Sequence, residues 1–479
     1  MPSVHYRPMF AFLSNDQQKP QLKIAIIGGG IGGTSCAYFL RSLFGDSVGL
    51  DLYEAENIGG RLSVVSFGGK NYEVGGSIIH SRNKYMTKFL NLFKLTKRDS
   101  SRDSYFGLYN GNEFVFEEST WQIVTLYRMI RRYHFGFWKL KNHINDMLDK
   151  FDKIYKYQDK GVTFQNVSTL LSAMDPTFAE SLHITSEAGF EKEGLSKVVI
   201  DELVMATLRT NYGQDLKAHK FVGSVSVAGA GGGLWAFHGG NSQVPEKLLH
   251  LAQAQLTQCM VTTVKKLPSN EIEVIVESEC SKTSNTYDIV IIAAPQTSDM
   301  KHKINFVDFR KPINFPGKYH QTVCTLIKGK LRDEYFPNKK KYIDGVLTIN
   351  DSKFFNSIGR IYPVDYKQKN SEVSDVWKVF SQKLLSDSQL DSIFSEINDK
   401  YVKVWLAYPE YDTSDRYDSF VLDDNLYHIN AIDWAASSME MSVIGARNVA
   451  LLIHKNWQQS SSSDSTWSDA SSLGTKDEF

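Results

Sequence analysis

The chain has 479 residues, more than the roughly 250 to 300 that one hydrophobic core usually serves, so we expect more than one domain. Lys plus Arg equals Asp plus Glu at 54 each, and 42% of the residues are hydrophobic, which favours a globular protein with a small-molecule partner over a nucleic-acid-binding protein. The four cysteines have no CxxC spacing, which argues against a disulfide framework or a zinc site and indicates buried thiols.

The N-terminal segment, residues 1–21, has basic residues around the short apolar run MFAFL, which is brief for a signal peptide, so we expect at most a weak targeting sequence. No run of 18 uncharged apolar residues occurs, and we expect no transmembrane helix. The triplets Asn166-Val-Ser168 and Asn350-Asp-Ser352 are glycosylation sequons that a secretory compartment would make usable.

A glycine-rich stretch, KIAIIGGGIGGTSCAYFLRS, follows. Lys23 to Ile27 predicts a buried parallel strand and Thr34 to Leu43 a helix. The turn between them contains GxGxxG, in which Gly28 permits the tight turn, Gly30 lets a diphosphate lie against bare backbone, and Gly33 lets helix and strand pack closely. A second apolar strand ends in Glu54, placed to bind ribose hydroxyls, so the pattern predicts a dinucleotide site.

Four residues after Glu54 the chain reads Gly59-Gly60-Arg61. This extension resembles that of a large group of FAD enzymes that includes amine and polyamine oxidases, and the resemblance implies that Gly60 lies beside the flavin and Arg61 near the diphosphate. Later, VTTVKK, EIEVIVES and YDIVIIAAP predict a hairpin that leads into a buried strand. In such enzymes the adenine packs on this hairpin, which assigns Val261 to a backbone contact with the cofactor.

Residues 121–158 are helix-like, with Ile123, Tyr127, Ile130 and Phe137 along one side. Interleaved with them are basic residues: Arg128, Arg131, Arg132, Lys139 and Lys141. Two interpretations stay open. The apolar side packs into the core beneath a solvated basic face, or the segment rests on an anionic membrane as a peripheral contact.

Near the C-terminus we expect a strand, a turn and a helix from about Ser438 to Ile453, whose N-terminus would stabilise negative charge on a reduced flavin. Amine oxidases carry Gly-Glu after that strand, whereas this chain has Ala431-Ile432-Asp433-Trp434. The Ser-rich segment 458–479 predicts a disordered tail that ends in KDEF, which approximates an ER-retrieval signal.

Four segments point to one family. They are YEVGGSIIHSRNKYMTKFLNLFKL, LRTNYGQ, FVGSVSVAGAGGGLWAFHGGNSQVPEKLL and AASSMEMSVIGARNVALL. The sequence resembles prenylcysteine oxidases, flavoproteins that cleave the thioether of farnesylcysteine and geranylgeranylcysteine. The resemblance implies non-covalent FAD, molecular oxygen as electron acceptor, hydrogen peroxide as a product and a lysosomal location. The KDEF-like C-terminus leaves the ER as the alternative location. Within these segments it assigns Gly76, Ser77 and Glu440 to the cofactor site.

The expected fold class is α/β, with a discontinuous Rossmann-like FAD-binding domain and an inserted α+β substrate domain in an amine-oxidase-like architecture. We assign segments 22–98, 220–300 and 415–457 to the FAD domain, and 99–219 and 301–414 to the substrate domain.

The chemistry needs an allylic carbon bonded to sulfur to lose a hydride, after which water adds and the product collapses to cysteine and a prenyl aldehyde. FAD performs the redox step, so the protein supplies orientation, an apolar tunnel and electrostatic support. His80 and His238 are the candidates for positioning water or substrate, each with a structural role as the alternative. An amine or polyamine oxidase, or a non-catalytic flavoprotein or lipid-binding scaffold, remains the alternative function.

Overall fold

The computed structural model describes residues 22–99, 105–278, 281–300, 302–368, 373–414 and 419–471. The predictions for residues 1–21 and for the C-terminal KDEF, and the thiol of Cys280, lie outside the described residues. The helices are α1 Ile31–Phe44, α2 Lys84–Leu92, α3 Gln122–Tyr133, α4 Gly136–Phe151, α5 Lys153–Asp159, α6 Val167–Met174, α7 Pro176–Glu180, α8 Ser186–Lys192, α9 Lys197–Val199, α10 Met205–Tyr212, α11 Lys220–Ala228, α12 Gln243–Ala252, α13 Asp387–Ile393 and α14 Met439–Ser471.

The strands of the first half are β1 Leu22–Ile27, β2 Val48–Tyr53, β3 Val64–Phe67, β4 Lys70–Glu73, β5 Ile79–His80, β6 Tyr105–Tyr109, β7 Phe114–Glu117, β8 Leu234–Trp235, β9 Gln255–Thr257, β10 Val261–Lys266 and β11 Ile272–Ser278. Those of the second half are β12 Ser281–Tyr287, β13 Ile289–Ile292, β14 Asn305–Val307, β15 Tyr319–Leu331, β16 Ile343–Thr348, β17 Ser357–Arg360, β18 Val376–Ser381, β19 Phe394–Pro409, β20 Val421–Asp423 and β21 Leu426–His428.

A six-stranded sheet in the order β20-β21-β13-β1-β2-β9 forms the centre of the dinucleotide fold. β1 pairs in parallel with β2 on one side and β13 on the other, with Ile26 opposite both Leu52 and Ile291. These three strands are apolar because both faces of a parallel sheet are covered. The predicted strand, glycine turn and helix are confirmed, and all six strands come from the three segments assigned to the FAD domain.

The hairpin predicted near Val261 is confirmed as β10 and β11, which pair antiparallel. It belongs to a four-stranded sheet in the order β12-β11-β10-β14. β12, whose sequence SKTSNTY has no apolar alternation, was missed, because its pairing with β11 rather than its own burial holds it in the sheet. The apolar side of this sheet packs on one face of the six-stranded sheet through Val264, Ile272 and Val274.

A seven-stranded sheet in the order β19-β15-β18-β17-β16-β6-β7 forms the second large layer. Its longest pair, β15 and β19, is antiparallel and interrupted by register shifts that bend the strands. All seven strands come from residues 105–117 and 319–409, within the segments assigned to the substrate domain. Helices α4 to α6, α8, α10, α11 and α14 share one large core with α1 and the six-stranded sheet.

The helical segment 121–158 consists of three helices: α3 ends at His134, which takes a positive φ of +49°, and Asp152 separates α4 from α5. The core-packing interpretation is wrong for the predicted apolar side of α3. Ile123 is 74% exposed, Tyr127 62% and Ile130 40%, and only Phe137 of that set packs against the core.

The last helix runs further than predicted. α14 begins at Met439 and continues to Ser471, so it extends into the segment predicted to be disordered. No glycine or proline occurs from Ala446 to Leu473, so the sequence provides no residue that would end the helix earlier. Within the described residues, none of the helices combines the length and hydropathy that crossing a bilayer requires.

Candidate functional site

The glycine turn between β1 and α1 has the close contacts that the motif predicts. Gly28 has a φ of +117°, and a Cβ there would lie 2.7 Å from the backbone carbon of Ala293 on the neighbouring strand. A Cβ on Gly33 would collide with the carbonyl oxygen of Gly28. Both positions therefore require glycine for reasons of backbone packing alone.

Gly30 is different, because nothing in the protein crowds it. A Cβ there would have only the Gly59 carbonyl oxygen within 4 Å, at 3.9 Å. Gly30 precedes the first turn of α1, whose free N–H groups attract negative charge. This open cradle at a helix N-terminus fits a diphosphate, since a side chain at Gly30 would fill the space that the phosphates need.

Glu54 fixes the turn and keeps capacity for a ligand. One carboxylate oxygen accepts a 2.7 Å hydrogen bond from the Gly29 N–H, and the other accepts one of 2.8 Å from the Glu56 N–H. A carboxylate has about four acceptor positions, so two remain. Glu54 lines the cavity beside the turn, where the remaining positions can accept from ribose hydroxyls.

The side chain of Arg61 is held in place by the buried carboxylate of Asp433 and by two further oxygen atoms. Its guanidinium donates to Asp433 at 2.8 Å, to the Ala407 carbonyl at 2.8 Å and to the Ser437 hydroxyl at 2.9 Å. Asp433 also accepts from the Tyr319 hydroxyl at 2.9 Å. Burial, and next the Asp433 charge, hold the pKa of Tyr319 well above its usual value, so Tyr319 stays a donor. The arrangement fixes one positive group at the edge of the cavity.

One cavity of about 1310 Å³ extends from the glycine turn to the seven-stranded sheet. This exceeds the roughly 300 to 1,000 Å³ of an ordinary ligand pocket, so a dinucleotide and a second molecule can share it. Beyond the cofactor motifs its wall has charged residues, among them Arg82, Asp152, Lys378 and Lys403, and an apolar and aromatic part with contributions from α4, α11 and three strands: Met147, Leu148, Phe151, Val225, Ala228, Leu347, Phe380, Trp405 and Tyr408. The cavity reaches the surface beside Ile78, which is 52% exposed and lines it.

Three buried polar atoms on the cavity wall have no hydrogen-bond partner among the described residues. They are Nε1 of Trp235, Oγ1 of Thr210 and Oδ1 of Asn430. A buried polar atom without a partner costs about 1 to 3 kcal/mol.

The structure brings most of the predicted site residues together. Those that line the cavity are Gly28, Gly30, Glu54, Gly60, Arg61, Gly76, Ser77, His80 and Glu440. Gly33, Val261 and His238 do not line it. Gly33 lies behind the turn, and Val261 begins β10 in the smaller sheet. His238 is half-buried outside the cavity, and its buried Nε2 has no partner in the described part of the chain.

Glu440 binds protein groups with its side chain. Its carboxylate accepts from the N–H groups of Tyr85 and Met86, at 2.7 and 3.0 Å, and from the Tyr155 hydroxyl at 2.8 Å. These bonds cap the first turn of α2, where a negative charge is favourable. Burial raises the pKa of Glu440 to about 7, although the three donors counteract it.

Asp433 was missed as a functional residue. It lies in the stretch that departs from the Gly-Glu of amine oxidases, and that departure was the available signal. The carboxylate that pairs with Arg61 follows β21 within a short 3-10 helix, Ile429–Trp434. Tyr319 was also missed, because nothing local in its sequence marks it and only the fold brings it to Asp433.

Comparison with known proteins gives consistent results. The prenylcysteine lyase family model matches residues 116–465, and an NAD(P)-binding Rossmann-like domain model matches residues 26–93. The chain is 37% identical over 467 residues to prenylcysteine oxidase 1 of Bos taurus, covering 93% of this chain and 90% of that protein. It is 39% identical over 457 residues to the Homo sapiens protein of the same name, covering 91% and 90%. It is also 36% identical to prenylcysteine oxidase 1-like of Mus musculus, covering 92% of each.

Among solved structures, a variant of putrescine oxidase superposes with a TM-score of 0.61 at 13% identity, covering 91% of this chain and 99% of that one. Cyclohexylamine oxidase from Brevibacterium oxydans gives a TM-score of 0.57 at 13% identity, covering 92% and 100%. At this identity the likeness concerns the fold alone, and it confirms the predicted amine-oxidase-like architecture.

Proposed function

The chain belongs to the prenylcysteine oxidase family, and we propose that it is an FAD-dependent oxidase that cleaves the thioether bond of prenyl-L-cysteines. With oxygen and water the products are cysteine, a prenyl aldehyde and hydrogen peroxide. The observation that carries the proposal beyond the family is the cavity, which joins the diphosphate cradle at Gly30 to an apolar wall. Farnesylcysteine and geranylgeranylcysteine have a polar end and a long apolar chain that match such a cavity.

The residues present fit FAD. Gly28, Gly30 and the N-terminus of α1 would hold the diphosphate, Glu54 the ribose, and Gly60, Arg61, Gly76 and Ser77 the rest of the cofactor. When bound, FAD supplies the two-electron oxidation of the carbon attached to sulfur and the transfer of electrons to oxygen.

The protein's own contribution is orientation and environment. Apolar side chains such as Phe380, Leu347 and Val225 bind the prenyl chain and exclude water from it. The Arg61 charge, fixed by Asp433, provides a stationary positive group in a poorly hydrated place, where electrostatic interactions are strong. His80 lies on the cavity wall and accepts from the Arg82 N–H through Nδ1, which leaves its other nitrogen to position water or substrate.

We propose that the flavin is held without a covalent bond. Of the cysteines in the described part of the chain, Cys36, Cys259 and Cys324 all lie outside the cavity lining. Burial raises the pKa of the Cys324 thiol to about 11, which makes it a poor nucleophile. Release of flavin on acid precipitation tests this point, and flavin retained in the protein pellet would contradict it.

The proposed location is the lysosome, with the ER as the alternative. The family resemblance supports it, and so do the two sequons. Asn350 is exposed, although its Nδ2 donates to the Asn110 carbonyl at 2.8 Å, and the Asn166 side chain caps α6 by accepting from the Thr169 N–H at 2.8 Å. Sensitivity of the cellular protein to a glycosidase, compared with an Asn350→Gln variant, tests passage through the secretory pathway.

An oxidase screen tests the proposed activity. Purified protein is assayed for peroxide release with farnesylcysteine, geranylgeranylcysteine and spermine. We expect both prenylcysteines to react and spermine to be inert. Peroxide from spermine alone would establish an amine oxidase instead, and protein that retains FAD but reacts with none of the three would establish a non-catalytic flavoprotein.

A further inference from the structure

Helix α3 carries an apolar stripe that faces away from the protein. Ile123, Leu126, Tyr127 and Ile130 follow the i, i+3, i+4, i+7 spacing of one helix face, and each is at least 40% exposed. Trp121 before the helix and Phe135 after it are 71% and 81% exposed. We call these six residues the α3 surface. Large apolar side chains clustered in this way mark an interaction surface.

The opposite face of α3 is already occupied by the protein. Tyr133 is 1% exposed and its hydroxyl donates to Glu202 at 2.9 Å, while Arg132 forms an ion pair with the same carboxylate. Arg128 donates to the Glu117 carbonyl at 2.8 Å. These contacts fix the rotation of α3 about its own axis, so the fold presents the α3 surface outward.

Within the segment that holds α3 the charged side chains have one sign. Residues 119–145 contain five Arg and Lys residues and no Asp or Glu, and this range is flanked by Glu118 and Asp146. Arg128, Arg132 and Lys139 have protein partners, whereas Arg131 and Lys141 are exposed and make no hydrogen bond or ion pair with the described residues. A protein partner with an apolar patch would not require these cations, but an anionic lipid surface attracts each of them.

The seven-stranded sheet connects the cavity wall to the α3 surface. Gly345 and Leu347 of β16 line the cavity, β16 pairs with β6, and β6 pairs with β7. β7 ends at Glu117, five residues before α3 begins. Two strand spacings of about 4.8 Å therefore separate the cavity wall from the strand that leads into α3.

We propose that the α3 surface docks the protein on the surface of an anionic bilayer, with α3 lying in the plane of the headgroups. Ile123, Leu126 and Ile130 enter the acyl boundary, Trp121, Tyr127 and Phe135 sit at the headgroup level, and Arg131, next to Ile130 on α3, contacts lipid phosphates. This rests on the proposed function in one respect, since it explains how an enzyme reaches a substrate whose prenyl chain partitions into lipid.

Co-sedimentation with vesicles tests the proposal on the full-length, FAD-loaded protein. Two vesicle types are compared, phosphatidylcholine alone and a mixture in which roughly a third of the lipid is phosphatidylserine. We expect binding to the mixture that weakens with added salt. The Ile123→Gln, Ile130→Gln double variant should bind at least about tenfold more weakly to both vesicle types, because two aliphatic side chains no longer enter the bilayer.

Two further variants separate the contributions. Arg131→Gln should weaken binding to the mixed vesicles by about fivefold and leave binding to phosphatidylcholine unchanged. Leu384→Gln is the matched control, since Leu384 is 63% exposed and lies outside α3, and it should bind like the wild type. Vesicle binding that the double variant leaves unchanged would overturn the proposal, as would a wild-type protein that does not bind vesicles at all.

Two further measurements distinguish membrane docking from dimer formation and from a failure of the proposed function. A wild-type dimer that the double variant converts to monomer, without vesicle binding, would assign the surface to a second copy of the chain and overturn membrane docking. Oxidation of prenylcysteine dispersed in detergent should proceed at the wild-type rate in the double variant. If neither the wild type nor the double variant oxidises the dispersed prenylcysteine, the proposed function is contradicted, while the vesicle result still stands.

Discussion

The guanidinium of Arg61 lies 2.8 Å from the carboxylate of Asp433, which is completely buried, although the two residues are 372 positions apart in the sequence. The bond joins the loop after β2 to the short helix after β21, so it ties the first and last parts of the dinucleotide fold together. Arg61 is itself 29% exposed on the cavity side. Its charge is therefore compensated from behind and available to a ligand in front.

Replacing Asp433 with Asn should destabilise the protein by about 3 kcal/mol, because removing one partner of a buried ion pair leaves the other charge uncompensated. The free energy of unfolding in urea measures this. Asp424→Asn is the matched control, since Asp424 also pairs with an arginine, Arg310, but both side chains are more than 60% exposed. That variant should lose less than about 1 kcal/mol. Equal losses in the two variants would show that burial of the Asp433 pair has no special effect.

Replacing Gly30 with Val should lower flavin retention while the protein still folds. Within 4 Å a Cβ at this position meets only the Gly59 carbonyl oxygen, but the new side chain occupies the cradle for the diphosphate. Overpacking of this kind costs about 1 to 3 kcal/mol, which weakens binding by roughly ten- to a hundredfold. The ratio of the flavin absorbance to the protein absorbance in purified protein measures the loss.

Gly232→Val is the control for that substitution. Gly232 lies in the other glycine-rich stretch, has no atom within 4 Å of the position of a Cβ and does not line the cavity. It should purify with the wild-type content of flavin. A Gly30→Val protein with the wild-type content of flavin, or a colourless wild type that FAD does not reconstitute, would contradict the assignment of the cradle.

The dinucleotide turn was predictable from the sequence because its determinants are local. Gly28, Gly30 and Gly33 act within one strand, turn and helix, and the neighbouring residues predict each of these elements. Asp433 and Tyr319 were not predictable as partners of Arg61, since their meeting depends on how distant segments fold. The same limit applies to Val261, for which hairpin formation was predictable but position relative to the cavity was not.

The α3 surface shows why periodicity alone is not enough. An apolar stripe at helical spacing looks identical in sequence whether it packs inward or faces outward. The contacts of the opposite helix face decide which way the stripe points, and here Tyr133 and Arg132 on that face contact Glu202. Glu202 lies on another helical segment 70 residues away, and nothing near α3 in the sequence indicates that contact.

Stability should depend on pH through Glu440. Burial raises its pKa from about 4.5 to about 7 in the folded protein, so the folded state binds a proton more tightly than the unfolded state. The contribution of Glu440 to stability is then greatest below pH 4.5 and is lost as the pH rises through 7. Over that range the wild type should lose stability relative to Glu440→Gln, by an amount on the order of 3 kcal/mol, since each pKa unit corresponds to about 1.4 kcal/mol.

Urea unfolding of both proteins at pH values from 4.5 to 8 measures that difference. Glu396→Gln, a change at an exposed glutamate, is the control and should follow the wild type across the range. A constant difference between wild type and Glu440→Gln would mean that the Glu440 carboxylate is ionised throughout. In that case its bonds to the N–H groups of Tyr85 and Met86 outweigh burial.

Substrates that differ at one double bond should separate binding from chemistry in the cavity. Removal of hydride from the carbon attached to sulfur leaves a positive charge that sulfur and the adjacent alkene share. In a saturated prenyl analogue no alkene delocalises this positive charge, but the apolar contacts with Phe380, Leu347 and Val225 are kept. If the loss of this delocalisation raises the barrier by about 3 kcal/mol, the rate falls roughly a hundredfold while binding changes little. Anaerobic loss of flavin absorbance after rapid mixing gives the rate, and its concentration dependence gives the binding constant.

Deuterium at the same carbon should slow flavin reduction by the allylic substrate if breaking this C–H bond limits the rate. Since water adds after the oxidation, the aldehyde should take its oxygen from labelled water, with one peroxide and one cysteine released per turnover. Equal rates for the saturated and allylic compounds would exclude hydride removal assisted by the alkene.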